Sequence, residues 1–120
     1  VLPGLEMAID RTHMRQILSN LVVNAYRYCS KGPAAVQIGA ALRDDGRVAL
    51  DVLDDGPGVP ENLRAQIFEP FFTTHSKGTG LGLYISRELA EANGAVLELC
   101  AGEPAGLPGA HFRLIGRVKP

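Results

Sequence analysis

One stretch near the start of the chain decides much of the fold: residues 10–29, which read DRTHMRQILSNLVVNAYRYC. Apolar residues recur in this stretch at steps of three and four, which places them on one face of a helix. They are Met14, Ile17, Leu18, Leu21, Val22, Ala25, Tyr28 and Cys29. Asp10 stands where an N-cap residue accepts hydrogen bonds from free amides, and Gly32 with Pro33 predicts the end of the helix. The stretch therefore predicts an amphipathic helix that packs on a core.

The sequence on either side of this helix predicts a sheet and further helices. Alternating apolar residues in 36–42 and 48–52 flank the turn sequence Asp44-Asp45-Gly46, which is typical of a hairpin. A short helix is expected from Pro60 to Ile67, and a second long helix follows a loop rich in glycine, serine and threonine and ends at Asn93-Gly94. Further strands are expected at Leu5 to Ile9, Ala95 to Cys100 and His111 to Val118. This order predicts an α/β (α+β) two-layer sandwich, with about three helices on one face of a mixed, mostly antiparallel sheet.

Composition limits the classes of protein to which the chain can belong. Its 120 residues are 46% hydrophobic and 21% charged, as in a folded protein, and we expect a single domain over residues 1–120. The formal net charge of −1 provides no basic field for nucleic acid. Cys29 and Cys100 match neither a disulfide framework nor a zinc site, and no apolar run is long enough to span a bilayer. Because the first residue is Val1, we expect a fragment of a longer protein.

The first helix also carries a polar edge beside its apolar face. Asn20, Asn24 and Arg27 fall within roughly 60° of one another at about 100° per residue. Asn24 lies nearest the apolar face, so its side-chain amide is expected to be half-buried, and a buried amide without partners costs roughly 1–3 kcal/mol. Two interpretations are open from these residues alone: the asparagines hydrogen-bond a neighbouring loop, or they bind a ligand.

Two glycine-containing segments add ligand-binding features. Asp54-Asp55-Gly56-Pro57-Gly58 directly follows a predicted strand, so a carboxylate that can accept from an amine stands beside glycines that let a ligand approach the backbone. Taken alone, this segment is also an ordinary turn sequence. Gly78-Thr79-Gly80-Leu81-Gly82-Leu83 opens the second long helix and leaves amides free to bind phosphate. Lys77 adds a positive charge beside it, although a lone lysine is more often a solvated surface residue.

Four segments together resemble the N, G1, F and G2 boxes of the catalytic ATP-binding domain of sensor histidine kinases. These segments are Asn20 to Ala25, Asp54 to Gly58, Phe68 to Phe72, and Gly78 to Leu83. The resemblance covers nearly the whole chain and, through residues 69–74, is closest to the kinases of nitrogen and pilus regulation. It implies the Bergerat ATP-binding fold, which these kinases share with gyrase, the heat-shock chaperone ATPases and MutL.

The resemblance implies a role for each matching residue. Asn24 would coordinate Mg²⁺, Asn20 would support the metal and the phosphates, and Arg27 would neutralise phosphate charge, and these three are the candidate catalytic residues. Asp54 would accept a hydrogen bond from the adenine amino group, and Tyr28 would lie against the adenine. The other candidates for nucleotide binding are Gly56, Gly58, Val59, Ile67, Phe72, Lys77, Gly78, Thr79, Gly80, Leu81, Gly82 and Leu83, and Phe71 to Lys77 would form a lid.

The resemblance further implies the function of a protein-histidine kinase domain. It would bind Mg-ATP and donate the γ-phosphoryl group to a histidine on a separate, upstream dimerisation domain, and the full-length kinase would act on a response regulator in two-component signal transduction. None of His13, His75 and His111 stands in an acceptor context, so we expect no autophosphorylation by this chain alone. The isolated domain is expected to be a monomer that binds no nucleic acid and lies in the cytoplasm, with the full-length protein anchored in the inner membrane.

Three alternative functions remain open from the sequence. A hydrolase or chaperone ATPase of the same superfamily would carry a glutamate where this chain has Asn20, and an amide cannot act as a general base near neutral pH. An anti-sigma-type serine kinase has similar boxes, and an ATP-binding module without transfer would have the same site. The chain also departs from the family at Ala110, where many relatives have serine or threonine, so one supporting hydroxyl is missing.

Overall fold

The computed structural model describes residues 6–28, 35–72, 80–100 and 109–119. They form two α-helices packed on one four-stranded sheet. The elements are α1 (Arg11–Tyr28), β1 (Val36–Leu42), β2 (Arg47–Asp54), α2 (Gly82–Ala92), β3 (Val96–Leu99) and β4 (His111–Arg117). The strand order is β1-β2-β4-β3, and each neighbouring pair is antiparallel. The predicted two-layer α/β sandwich is confirmed.

The described residues contain two α-helices where about three were predicted. The segment expected to be helical from Pro60 to Ile67 contains only a 3₁₀ turn, Glu61–Leu63. Its amides bond to carbonyls three residues back: Leu63 to Pro60 at 2.9 Å, Arg64 to Glu61 at 3.3 Å and Gln66 to Leu63 at 2.9 Å. A segment this short cannot offset the cost of starting an α-helix, and it winds instead as successive tight turns.

Other boundaries differ from the prediction in smaller ways. Within the four described ranges every pair of neighbouring strands is antiparallel, where a mixed, mostly antiparallel sheet was predicted. The strand expected at Leu5 to Ile9 contributes one isolated bridge, between Met7 and Val118. The predicted end of the first helix at Gly32 and Pro33 lies outside the described residues. None of the helices in the described ranges is long and apolar enough to cross a membrane.

The core lies between the helices and one face of the sheet. Ile17 and Leu21 of α1 are fully buried, and Ala25 one turn later is 2% exposed, so the apolar face predicted for this helix packs inward. The residues that they meet in the same cluster include Val52, Ala90, Leu97, Phe112 and Leu114. Val52 and Phe112 are paired across β2 and β4, which sets the helix-facing side of the sheet at the end where β2 stops.

The two helices are tied together where α1 begins and α2 ends. The Asp10 carboxylate caps α1 by accepting a hydrogen bond from the His13 amide at 3.0 Å. The Asp10 amide donates to the Asn93 side-chain oxygen at 2.9 Å, and the Asn93 side-chain nitrogen donates to the Leu89 carbonyl at 2.7 Å. The same nitrogen lies 2.9 Å from His13 Nδ1. One asparagine thus ends α2 and holds the N-cap of α1.

The cap predicts a specific acid sensitivity. The hydrogen bond from the His13 amide lowers the pKa of Asp10 below its ordinary value of 3.8. A lowered pKa in the folded state contributes stability that is present above pH 3.8 and is lost as the pH falls through the folded pKa. Asp10→Asn keeps a capping oxygen without titrating. In urea unfolding from pH 5 to pH 2, the parent should therefore lose slightly more stability than Asp10→Asn. Asp44→Asn in the hairpin turn is the control. An equal loss of stability in the parent and in Asp10→Asn would contradict the cap.

Candidate functional site

A cleft of about 230 Å³ opens between α1, the end of β2, the start of α2 and the segment that joins β2 to α2. Its described lining residues include most of the predicted site residues. Those it brings together are Asn20, Asn24, Arg27, Asp54, Gly58, Val59, Ile67, Phe72, Gly80, Gly82 and Leu83. Residues from four separate parts of the sequence therefore meet in one cavity.

The remaining predicted residues fall into two groups. Gly56 and Leu81 do not line the cleft, although the Gly56 amide holds the Asp54 carboxylate and Leu81 is the residue before α2. Lys77, Gly78, Thr79 and the side chain of Tyr28 lie outside the described residues. Of the predicted lid, only Phe71 and Phe72 are described: Phe71 is 75% exposed, whereas Phe72 lines the cleft.

Asp54 places a carboxylate at the inner end of the cleft. The residue is 2% exposed, and its Oδ1 accepts hydrogen bonds from the amides of Gly56 at 2.9 Å and Ala110 at 3.2 Å. Its Oδ2 accepts none from the described residues. Burial raises the pKa of Asp54, and the two amide hydrogen bonds partly oppose that shift. One carboxylate oxygen is thus held by two backbone amides, and Asp54 lines the cleft.

The backbone on either side of Asp54 is closely packed. Its own amide donates to the Ala110 carbonyl at 3.1 Å, and the Gly109 amide donates to the Asp54 carbonyl at 3.0 Å. A Cβ at Gly109 would overlap both the carbonyl oxygen and Oδ1 of Asp54. Gly58 has a positive φ of 75°, which glycine adopts without steric cost. Glycine at position 109 is therefore required by space, and glycine at position 58 by conformation.

The polar edge of α1 faces the start of α2. Asn20 donates from its side-chain nitrogen to the Gly82 carbonyl at 3.1 Å and to the Ser86 hydroxyl at 3.0 Å. Its oxygen accepts from Gln16 Nε2 at 3.1 Å. Asn24 is partly buried and lines the cleft, and its side-chain amide makes no hydrogen bond to the described residues. Asn20 is therefore hydrogen-bonded to side chains and backbone of the two helices rather than to a loop, and both asparagines line the cleft.

The N-terminus of α2 borders the cleft through Gly82 and Leu83. The helix starts at Gly82, and its first-turn amides have no intrahelical acceptor. Immediately before it, the Gly80 carbonyl accepts from the Phe71 amide at 2.8 Å, and Gly80 has a φ of 75°. A Cβ at Gly80 would lie 2.6 Å from the Phe71 Cα. Glycine at position 80 thus lets the chain return close to Phe71 immediately before the start of α2.

The cleft has an apolar wall, and some of its lining residues were not predicted from the sequence. The missed lining residues are Val23, Pro60, Leu63, Ala110 and Phe112. Phe112 packs edge-on against Phe68, with ring centroids 6.1 Å apart, and the Arg87 guanidinium lies 4.6 Å from the centre of the Phe68 ring. The alternation of β4 could have indicated Phe112, because it shares a face with the buried Leu114. An apolar slot that contains a carboxylate suits a flat, amine-bearing base.

Comparison with known proteins places this geometry in a family. The profile of the family described as "Histidine kinase-, DNA gyrase B-, and HSP90-like ATPase" matches residues 9–115. The sensor protein kinase PilS of Pseudomonas aeruginosa is 45% identical over 105 residues, which cover 85% of this chain and 20% of PilS. The chain thus spans about a fifth of the length of that relative.

Two solved structures agree with the sequence match. The mycobacterial sensor histidine kinase MprB superposes with a TM-score of 0.82 at 27% identity, covering 97% of this chain and 77% of that one. Full-length ShkA in complex with AMPPNP gives a TM-score of 0.78 at 34% identity, covering 97% of this chain and 24% of that one. The resemblance of the four sequence boxes is confirmed, and the chain belongs to the histidine kinase-, DNA gyrase B- and HSP90-like ATPase family, with sensor histidine kinases among its relatives.

Proposed function

We propose that this chain binds Mg-ATP and donates the γ-phosphoryl group to a histidine on a separate dimerisation domain of the same protein. The observation that carries the proposal is the buried Asp54 carboxylate, which has one oxygen held by two backbone amides and belongs to a residue that lines an apolar cleft. Asn24 and Gly82, the first residue of α2, line the same cleft. The cleft thus combines a base-binding end and a phosphate-binding end.

The base end is suited to adenine. Asp54 Oδ2 would accept a hydrogen bond from the exocyclic amine, and a carboxylate is an acceptor only while it is ionised. Val59, Ile67 and Phe112 would cover the faces and edge of the ring. A base with a carbonyl at the position of the amine would place two acceptors together and leave the buried carboxylate unpaired, which is costly. The site should therefore prefer adenine to guanine nucleotides.

The phosphate end contains oxygen and amide groups suited to a metal–phosphate pair. The positive end of the α2 helix dipole favours negative charge, and Arg27 also lines the cleft. Asn24 would provide the oxygen ligand for Mg²⁺, which binds few protein oxygens and relies on substrate phosphates for others. When bound, Mg²⁺ would neutralise the phosphate charge during transfer.

The described lining residues of the cleft are poorly suited to activating water for hydrolysis. Asp54 is the only carboxylate among its described lining residues, and it lies at the base end, hydrogen-bonded to two amides. The position of a general base is occupied by Asn20, whose amide cannot take a proton from water near neutral pH. Transfer to a protein acceptor therefore fits the site better than attack by water.

The acceptor histidine would lie outside this chain. His13 Nδ1 contacts Asn93, and His111 is 4% exposed and bonds through Nε2 to Asp51, so neither is presented to the cleft. His75 lies outside the described residues. We further propose that residues 1–120 are one domain of a longer kinase. Its upstream dimerisation domain would carry the acceptor, and the whole kinase would act on a response regulator with this domain on the cytoplasmic side of the inner membrane.

The proposal is tested by calorimetric titration of the chain with AMPPNP, with and without Mg²⁺. The parent should bind more tightly with Mg²⁺. Asn24→Ala should weaken Mg²⁺-dependent binding by about tenfold, the equivalent of about 1.4 kcal/mol for one lost ligand interaction. Asn62→Ala, an exposed asparagine that does not line the cleft, is the control.

Transfer is tested by adding radiolabelled ATP to the chain together with the dimerisation domain of the same kinase. Label should appear on the added domain only when both are present. Absence of AMPPNP binding by the parent would refute the nucleotide site, and stable label on the chain alone would refute the separate acceptor.

A further inference from the structure

One buried side chain outside the cleft is hydrogen-bonded to a residue that lines it. Asn20 links α1 to α2 through two hydrogen bonds from its side-chain nitrogen, to the Gly82 carbonyl at 3.1 Å and the Ser86 hydroxyl at 3.0 Å. Ser86 is 0% exposed and is not a lining residue of the cleft, whereas Asn20 is one. Ser86 is therefore joined to the lining of the cleft by its hydrogen bond with Asn20.

The two partners on α2 determine which way the Asn20 amide points. A carbonyl can only accept, so the Gly82 carbonyl requires the NH₂ end of the amide. The Ser86 hydroxyl accepts the second N–H, and both donors are then used on α2. The amide oxygen is left on the other side, where it accepts from the exposed Gln16 side chain at 3.1 Å. An exposed partner of this kind is readily replaced by water or by a cation.

Packing alone does not explain a serine at position 86. The site is fully buried within α2, and the next residue on the same face, Ala90, is an equally buried alanine. Serine has a lower helix propensity than alanine, and a buried hydroxyl is costly unless it is hydrogen-bonded. The hydrogen bond from Asn20 compensates for that cost, and it restrains a residue that lines the cleft.

We infer that Ser86 is a positioning residue of the metal–phosphate end of the site. By accepting the second amide proton of Asn20, it keeps the Asn20 oxygen turned away from α2 and available to the bound Mg-nucleotide. The inference rests on the proposed function, because it assumes that Mg-ATP is the ligand of the cleft. It assigns Ser86 no contact with the nucleotide.

The test is a double-mutant cycle between Ser86→Ala and Asn20→Ala, measured by calorimetry with AMPPNP in the presence and absence of Mg²⁺. Ser86→Ala should raise the Kd in Mg²⁺ by about five- to tenfold and leave the Kd without Mg²⁺ unchanged. In the Asn20→Ala background, Ser86→Ala should have no further effect, because the group through which it acts is gone. Ser19→Ala, an exposed serine on α1, is the matched control.

A second variant and the melting temperatures separate positioning from general loss of structure. Ser86→Thr keeps the hydroxyl, so it should retain the Mg²⁺-dependent affinity even if its extra methyl group lowers the melting temperature. Equal weakening with and without Mg²⁺, or an effect of Ser86→Ala that persists in the Asn20→Ala background, would overturn the inference and leave the nucleotide site standing. If the parent chain binds no nucleotide at all, the proposed function and the inference both fail.

Discussion

Asp54→Asn should nearly abolish nucleotide binding and at the same time stabilise the free protein at neutral pH. Asparagine keeps an oxygen for the two amides that hold Oδ1, so the local backbone is preserved. It turns an NH₂ group toward the cleft in place of Oδ2, and this donor would face the donor on adenine. Loss of a hydrogen bond to a buried charged group costs about 1.5–3 kcal/mol, so the Kd for AMPPNP should rise by about 10- to 100-fold or more.

The stability gain follows from the direction of the pKa shift. Burial raises the pKa of Asp54 above its ordinary value of 3.8. A carboxyl whose folded-state pKa is raised contributes stability at low pH, and that stability is lost as the pH rises from the unfolded pKa through the folded pKa. The asparagine side chain of the variant has no charge to bury. The variant should therefore match the parent below pH 3.8 and exceed it increasingly above that value until the folded pKa is passed.

Two measurements check this prediction on the same samples. Calorimetry gives the Kd for AMPPNP, and thermal unfolding from pH 3 to pH 8 gives the stability difference. Asp44→Asn, in the exposed hairpin turn, removes the same charge away from the cleft and should change neither quantity appreciably. Tight AMPPNP binding by Asp54→Asn would show that Asp54 does not recognise the base. Lower stability of the variant than of the parent at pH 8 would show that burial of the charge has no net cost.

The elements best predicted from the sequence are those whose signals are local. The first helix is defined by its apolar face and by an N-cap at Asp10, and the structure has both the face and the cap. The β1–β2 hairpin is defined by alternation around a turn in which Gly46 adopts a φ of 82°. These features depend on residues within a few positions of one another, so a sequence pattern is sufficient to find them.

The prediction of a short helix from Pro60 to Ile67 was wrong for a physical reason that a sequence pattern does not contain. A proline followed by an acidic residue favours the start of a helix, but 3₁₀ turns are also frequent at helix ends and as connecting segments. Which of the two forms depends on the number of residues that can continue the helix before Phe68 must pack in the core and Phe72 must line the cleft. That constraint is set by tertiary packing.

The polar part of the site could be predicted, and much of its wall could not. Asp54 and Asn24 stand in segments with recognisable spacing, and the structure brings both to one cleft. Phe112 and Ala110 reach it only through the register of β4 against β2, which pairs residues about 60 positions apart. The structure also gives Ala110 a role that the sequence did not indicate. Although it lacks a side-chain hydroxyl, its backbone amide donates a hydrogen bond to Asp54.

Gly109→Ala should damage both the fold and the site, because the turn before β4 has no space for a side chain. A Cβ there would overlap the carbonyl oxygen and Oδ1 of Asp54, neither of which is the free end of a flexible side chain. Three hydrogen bonds join residues 109–110 to Asp54, namely Gly109 N to Asp54 O, Asp54 N to Ala110 O and Ala110 N to Asp54 Oδ1. The chain cannot move away without breaking them. Overpacking of this kind typically costs about 1–3 kcal/mol.

The matched control for this substitution is Gly39→Ala on β1, where a Cβ would meet nothing within 4 Å. It should change stability by no more than about 0.5 kcal/mol. Urea unfolding should show a clearly lower midpoint for Gly109→Ala at an unchanged slope, and calorimetry at a temperature where it remains folded should show weakened AMPPNP binding, because Asp54 is displaced. Equal urea midpoints for the two alanine variants would mean that the backbone at position 109 can move to accommodate a Cβ without loss of stability. A destabilised Gly109→Ala that still binds nucleotide normally would mean that Asp54 holds its place without the hydrogen bonds from residues 109–110, and the recognition of the base would then depend mainly on the hydrogen bond from Gly56.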